Sequence, residues 1–166
     1  MKIFLSAIVA FLLSAGPAVA QNNDAVSTQT GSGNDVIAAQ TGSQNSAISG
    51  QNGTDNYVMM NQAGTANVAG ITQINFAGFQ RNHEAIISQQ GSGNEVDSRQ
   101  QGGFQDLLIS QTGEDNYAIT VQISSSNSFE ISQEGERNSA DVRNHNLRNG
   151  DEVTVNQLGD DNSLTI

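Results

Sequence analysis

The sequence predicts an all-β fold, a β-solenoid in which two parallel sheets face each other as about six 22-residue strand–turn–strand–turn rungs. Three observations carry this. Gln, Gly and Asn recur with a period of eleven residues. Within each unit, apolar and polar residues alternate with period two. The composition is too polar for an ordinary closed core: 17 Gln and 19 Asn stand among 166 residues, with 36% hydrophobic and 5% aromatic residues. A single Pro sets the chain apart from Pro-rich disordered sequences and leaves it suited to β-stacking.

The first segment reads as an address. Met1-Lys2 precedes an apolar run, Ile3–Leu13, then Ser14-Ala15-Gly16-Pro17 and Ala18-Val19-Ala20. A basic start, an apolar stretch too short to cross a bilayer and a small-x-small site predict a signal peptide over 1–20, cleaved after Ala20. The expected mature chain, 21–166, passes through the periplasm and is secreted to the cell surface.

The repeat fills the remainder. Gln stands at Gln29, Gln40, Gln51, Gln62 and Gln73, again at Gln89, Gln100, Gln111, Gln122 and Gln133, and at Gln157. Two residues on comes Gly, at Gly31, Gly42, Gly53, Gly64, Gly91, Gly102, Gly113, Gly135 and Gly159. Five residues on comes Asn, at Asn34, Asn45, Asn56, Asn67, Asn94, Asn116, Asn127, Asn138 and Asn162. Irregular spacing at 74–83 and 145–151 predicts insertions of five and two residues. The second residue after each Asn position is apolar, from Ala25 and Val36 to Val153 and Leu164, and the fourth never carries charge. The alternate positions include Asp35, Glu84, Glu95, Asp106 and Glu130. That alternation puts one side of a strand in a core and the other in water. The glycines are expected to supply the positive φ of tight turns.

Eleven residues make one strand and one turn, so two units make a rung and successive rungs stack about 4.8 Å apart. The phased Gln and Asn are then expected to form side-chain amide ladders, each amide bonding those above and below. An unpaired buried amide is costly, so the ladder favours strict register. With strand-like units at both ends, self-assembly head to tail into a filament is expected. Val26, Ile37, Ile48 and Met59, on the outward phase of the first four strands, form a candidate association patch.

The pattern Gln-x-Gly-x-x-Asn-x-Ala/Val-x-x-x-Gln resembles the curlin repeat. Gln40-Thr41-Gly42-Ser43-Gln44-Asn45-Ser46-Ala47-Ile48-Ser49-Gly50-Gln51 is one instance, and Gln111–Gln122 is another. The resemblance implies a subunit of curli, the extracellular amyloid fibres of bacterial biofilms. It implies as partners other copies of the chain, a second curlin subunit acting as nucleator or client, an outer-membrane export pore and periplasmic chaperones. Unlike major subunits of that family, this chain has no Gly-rich leader before its first repeat. The alternative reading is a monomeric β-solenoid adhesin or binding module.

Other chemistries find little support. A net charge of −11 disfavours nucleic acid, whose phosphates need Lys and Arg. Without Cys there is no disulfide, thiolate metal site or thiol nucleophile. His83 and His145 lack the spacing of a triad or metal pair. The acidic turns at Asp55, Glu114-Asp115 and Asp160-Asp161 match ordinary turn preference, and the repeat is longer than that of calcium-binding β-rolls. No catalytic, cofactor or metal residue is expected.

Overall fold

The computed structural model describes residues 7–14, 22–75, 82–145 and 150–166. Each eleven-residue unit forms a strand, because alternation leaves its small and apolar side chains on one face. The odd strands make one seven-stranded sheet: β1 (Ala7–Ser14), β3 (Asn34–Ser43), β5 (Tyr57–Thr65), β7 (His83–Ser92), β9 (Gln105–Glu114), β11 (Ser128–Glu136) and β13 (Glu152–Leu158). The even strands make the other: β2 (Asp24–Ser32), β4 (Ser46–Thr54), β6 (Val68–Asn75), β8 (Glu95–Gly103), β10 (Tyr117–Ser125), β12 (Ser139–Asn144) and β14 (Ser163–Thr165). All pairings are parallel, so the chain winds alternately between the sheets, as expected.

The register is that of the repeat. Ala118 lies beside Val96 and Ala140, each 22 residues away. The offset lengthens to 27 where Val58 meets Ala85, and to 24 where Phe129 meets Val153. These are the two predicted insertions. In sequence, both fall between an even strand and the following odd one. Their residues 76–81 and 146–149 fall outside the described residues.

Fourteen strands stand among the described residues, one more than the repeat units supply. The extra one, β1, comes from the apolar run read as part of a signal peptide, and the flanking residues 1–6 and 15–21 lie outside the described residues. It pairs with β3 and places Leu13 beside Gln40. An edge strand presents unpaired N–H and C=O groups, and an apolar run with high strand propensity satisfies them.

The core is uneven across the stack. Odd strands contribute the bulk: Met60, Ile87, Leu107, Ile109, Phe129 and Ile131 are all buried. Even strands oppose them mostly with small residues, Ala47, Ala69, Ala118, Ala140, Ser49 and Ser98, beside the larger Ile71, Val96 and Val142, all buried. Large against small lets the sheets interdigitate without voids. The polar Ser98 and Thr120 share a hydrogen bond of 2.8 Å within this core, meeting the need of buried hydroxyls for partners.

The motif glycines do not form the reversal itself. Gly113 is still paired in the strand, beside Gly135, at φ 117°. The chain reverses two residues later, where Asp115 is left-handed at φ 52°. Even non-Gly residues such as Ala66 and Arg137 hold that conformation, at a cost of about 1 kcal/mol each. Gly is required earlier because the backbones stack closely: a Cβ at Gly113 would lie 2.0 Å from the Gly135 carbonyl oxygen. The outward residues Val26, Ile37, Ile48 and Met59 do not form one patch. Val26 and Ile48 lie on the even sheet, Ile37 and Met59 on the odd one, facing opposite ways.

Gly113→Ala is therefore expected to destabilise the chain by about 3 kcal/mol or more, through clash and strained φ. Gly50→Ala is the comparison, since its added Cβ meets only Thr72 Oγ1 at 3.9 Å, and it should leave the urea midpoint within about 0.5 kcal/mol of the parent.

Candidate functional site: the buried amide columns

The repeat positions every amide at the junction of a strand and its turn. Gln ends the inward phase of its strand, one position beyond the apolar pair, and is carried into the stack. On the odd sheet, Nε2 of Gln40 donates to Oε1 of Gln62 (2.8 Å), and the chain continues through Gln89, Gln111 and Gln133 to Gln157. On the even sheet, Gln29 donates to Gln51, then Gln73, Gln100 and Gln122 follow. Gln40 through Gln133 are buried, and Gln157 is 9% exposed.

Each Gln also has a second task. Gln111 Nε2 donates to the Glu95 carbonyl (3.0 Å), Gln122 to Asp106 and Gln133 to Tyr117. From Gln40 onward the acceptor is one of the first two residues of the preceding strand, in the opposite sheet. One amide thus binds along the stack and across it, tying the two sheets together at an edge.

Asn begins the following unit and closes the turn. Asn116 Nδ2 donates to the Thr112 carbonyl four residues back, to the Gly135 carbonyl of the next rung (2.9 Å), and to Asn94 Oδ1 (3.0 Å). Its own Oδ1 accepts from the backbone N–H and side chain of Asn138. The same geometry links Asn23, Asn45, Asn67, Asn94, Asn116, Asn138 and Asn162 into one continuous column. The donors run opposite ways: each Gln donates toward later repeats, each Asn toward earlier ones.

The opposite edge is broken. Asn56 donates to Asn34 (3.0 Å), but His83 then offers only its backbone N–H to Asn56 Oδ1. Gln105 bonds the Gln101 and Ser124 carbonyls instead of a neighbouring amide. Asn127 Nδ2 has no partner among the described residues, and Asp151 closes the column with its backbone N–H on Asn127 Oδ1. The substitutions sit along the edge where even strands lead into odd ones. Asn116→Ala, in the intact column, should cost about 3 kcal/mol or more by stranding several buried groups, while Asn127→Ala should cost under about 1 kcal/mol. Paired urea-unfolding curves read the difference directly.

His83 is fully buried, its Nε2 3.3 Å from the Ile74 carbonyl and its Nδ1 without a partner among the described residues. Burial pushes its pKa from 6.5 down to about 4. The neutral ring is therefore favoured in the fold, and its contribution is complete above pH 6.5. It is lost as pH falls from there towards 4, because only the unfolded chain takes up the proton. The loss approaches about 3 kcal/mol at full protonation. His83→Asn should flatten that part of the stability–pH curve.

The turn tips of the intact edge carry charge near its later rungs. Arg137 bonds Asp161 through Nε at 2.7 Å and Nη2 at 3.1 Å, and also Glu136. The Arg137 hydrogen bond holds the Asp161 carboxyl below its usual range.

The predicted Gln and the predicted Asn of the intact edge thus lie in continuous columns, Asn34 and Asn56 form a pair, Asn127 joins no neighbouring amide, and all nine predicted glycines have positive φ. Sequence reasoning did not count Asn23 and Gln105 among the amide sites, although both occupy the repeat's Asn place. It also missed the cross-sheet Gln bond, whose signal is a donor and acceptor sixteen residues apart in nearly every unit.

Such an arrangement defines a β-solenoid organised by buried amide columns. Residues 34–64 match the family model of the curlin associated repeat. The match covers β3 to β5, and the same phasing continues on later strands. No curated protein and no solved structure matches the chain.

Proposed function

We propose that this protein is a secreted structural subunit that assembles end to end into extracellular curli-type fibres, serving biofilm matrix, adhesion and surface colonisation. The observation that carries the reading is that the Gln columns begin open. Oε1 of Gln29 and of Gln40 is buried and accepts no hydrogen bond from any described residue. Gln157, at the other end of its column, retains an Nε2 able to supply the missing kind of donor. With residues 1–20, and so β1, removed by the proposed cleavage, a second copy stacked in the same direction would bring its Gln157 to Gln40, and parallel strands would continue across the junction. The residues named in the columns are the proposed assembly residues. Export through the periplasm and an outer-membrane pore, with chaperones and a second curlin subunit as nucleator or client, belongs to the same proposal and draws on the repeat family.

Incubation of the chain from Gln21 onward should give unbranched fibres by electron microscopy, with diffraction near 4.8 and 10 Å, about the strand and sheet spacings. Replacing Gln40 and Asn45 by Ala should lengthen the lag or abolish growth. A chain that remains monomeric and folded at high concentration would instead support the adhesin reading.

A further inference from the structure

We propose that the outer face of the odd sheet holds a binding groove for a compact organic cation with an apolar body. Four outward side chains, Ile37, Met59, Ile86 and Leu108, fall in one column because their strands pair in register. The column beside it, two residues earlier, holds Asp35, Tyr57, Glu84 and Asp106. Between the two columns, over β7 to β11, a groove of about 300 Å³ is lined by Glu84, Asp106 and Glu130 together with Ile86 and Leu108.

The groove has a bounded length. At β5 the Tyr57 hydroxyl reaches Met59 Sδ at 3.6 Å, spanning from one column to the other. At β11 the apolar wall gives way to Glu130, which pairs beside Leu108. The remaining space covers two strand steps, about 10 Å. That suits a small molecule rather than a long polymer.

Charge decides the ligand class. None of the described arginines lies on this face: Arg99 and Arg143 are on the even sheet, and Arg137 is at a turn with Glu136 and Asp161. Glu84, Asp106 and Glu130 form no ion pair among the described residues. The comparable groove on the even sheet contains both Asp97 and Arg99 and so supplies its own counter-charge. An apolar wall, three carboxylates and a Tyr ring next in register to Glu84 match an alkyl- or aryl-ammonium ion, whose charge is attracted by carboxylates and aromatic faces and whose body prefers apolar contact. The groove lies on the flank of the stack, away from its ends, so binding does not depend on polymerisation.

The test is calorimetric titration of the full chain with benzyltrimethylammonium, and with neopentylbenzene as its neutral isostere. Saturable binding of the cation alone, weakening as salt rises, is expected. Glu84→Gln with Asp106→Asn should weaken it roughly tenfold, as should Leu108→Ser, while Asp97→Asn in the other groove should not change it. These side chains face outward, and circular dichroism will verify that the variants retain the fold. Equal binding of cation and neutral isostere, affinity unchanged in the Glu84/Asp106 variant, or no saturable binding would each overturn the proposal.

Discussion

The in-register hydrogen bond between identical buried amides is the constraint on which the rest of this structure depends. A primary amide offers two donors and an acceptor with two lone pairs, and burial demands that they be used. A neighbour one rung away with the same side chain meets part of that demand, and backbone carbonyls of the turn and of the opposite sheet meet more. A shift of one residue would strand every amide in a column at once and turn the strand faces inside out. The period of eleven is therefore enforced repeatedly along the chain. Glycine at the strand end follows from the same geometry, because its carbonyl receives the Asn of a neighbouring rung while its backbone nearly touches the next glycine.

With register held by amides, the apolar core is free to be thin. Large residues from one sheet meet Ala and Ser from the other, giving close contact between sheets with modest hydrophobic mass. Irregularity is also segregated. The buried His83, Gln105 and the incompletely bonded Asn127 collect along one edge, while the other carries an unbroken Asn column. A solenoid with two edges can keep one as a spine and vary the second, since each rung is held at both ends.

The repeat, the strands and the inward phases were legible in the sequence because each rests on a local requirement repeated many times. A buried amide must recur, and an inward position must exclude charge. What was not legible depended on where the winding carries a residue. Val26, Ile37, Ile48 and Met59 share an outward phase, yet consecutive strands join different sheets and send them to opposite faces. The cross-sheet bond of Gln111 to Glu95 needs the width of the turn, which the period alone does not specify. The difference between Asn116 and Asn127 is equally invisible in the motif, where both are simply the Asn of a unit. Only their neighbours, Asn94 and Asn138 against Gln105 and Asp151, separate them. The strand Ala7–Ser14 was hidden for another reason: its apolar pattern fits a targeting segment as well as it fits an edge-covering strand.

The opposed donor directions of the two column types have an electrostatic consequence. In an α-helix the peptide dipoles align, so lengthening develops partial charges at the ends. Here the Gln amide dipoles point toward later repeats and the Asn amide dipoles toward earlier ones, so their moments oppose each other rung by rung. As the stack lengthens, the Asn column of the intact edge therefore offsets part of the axial field that the two Gln columns build.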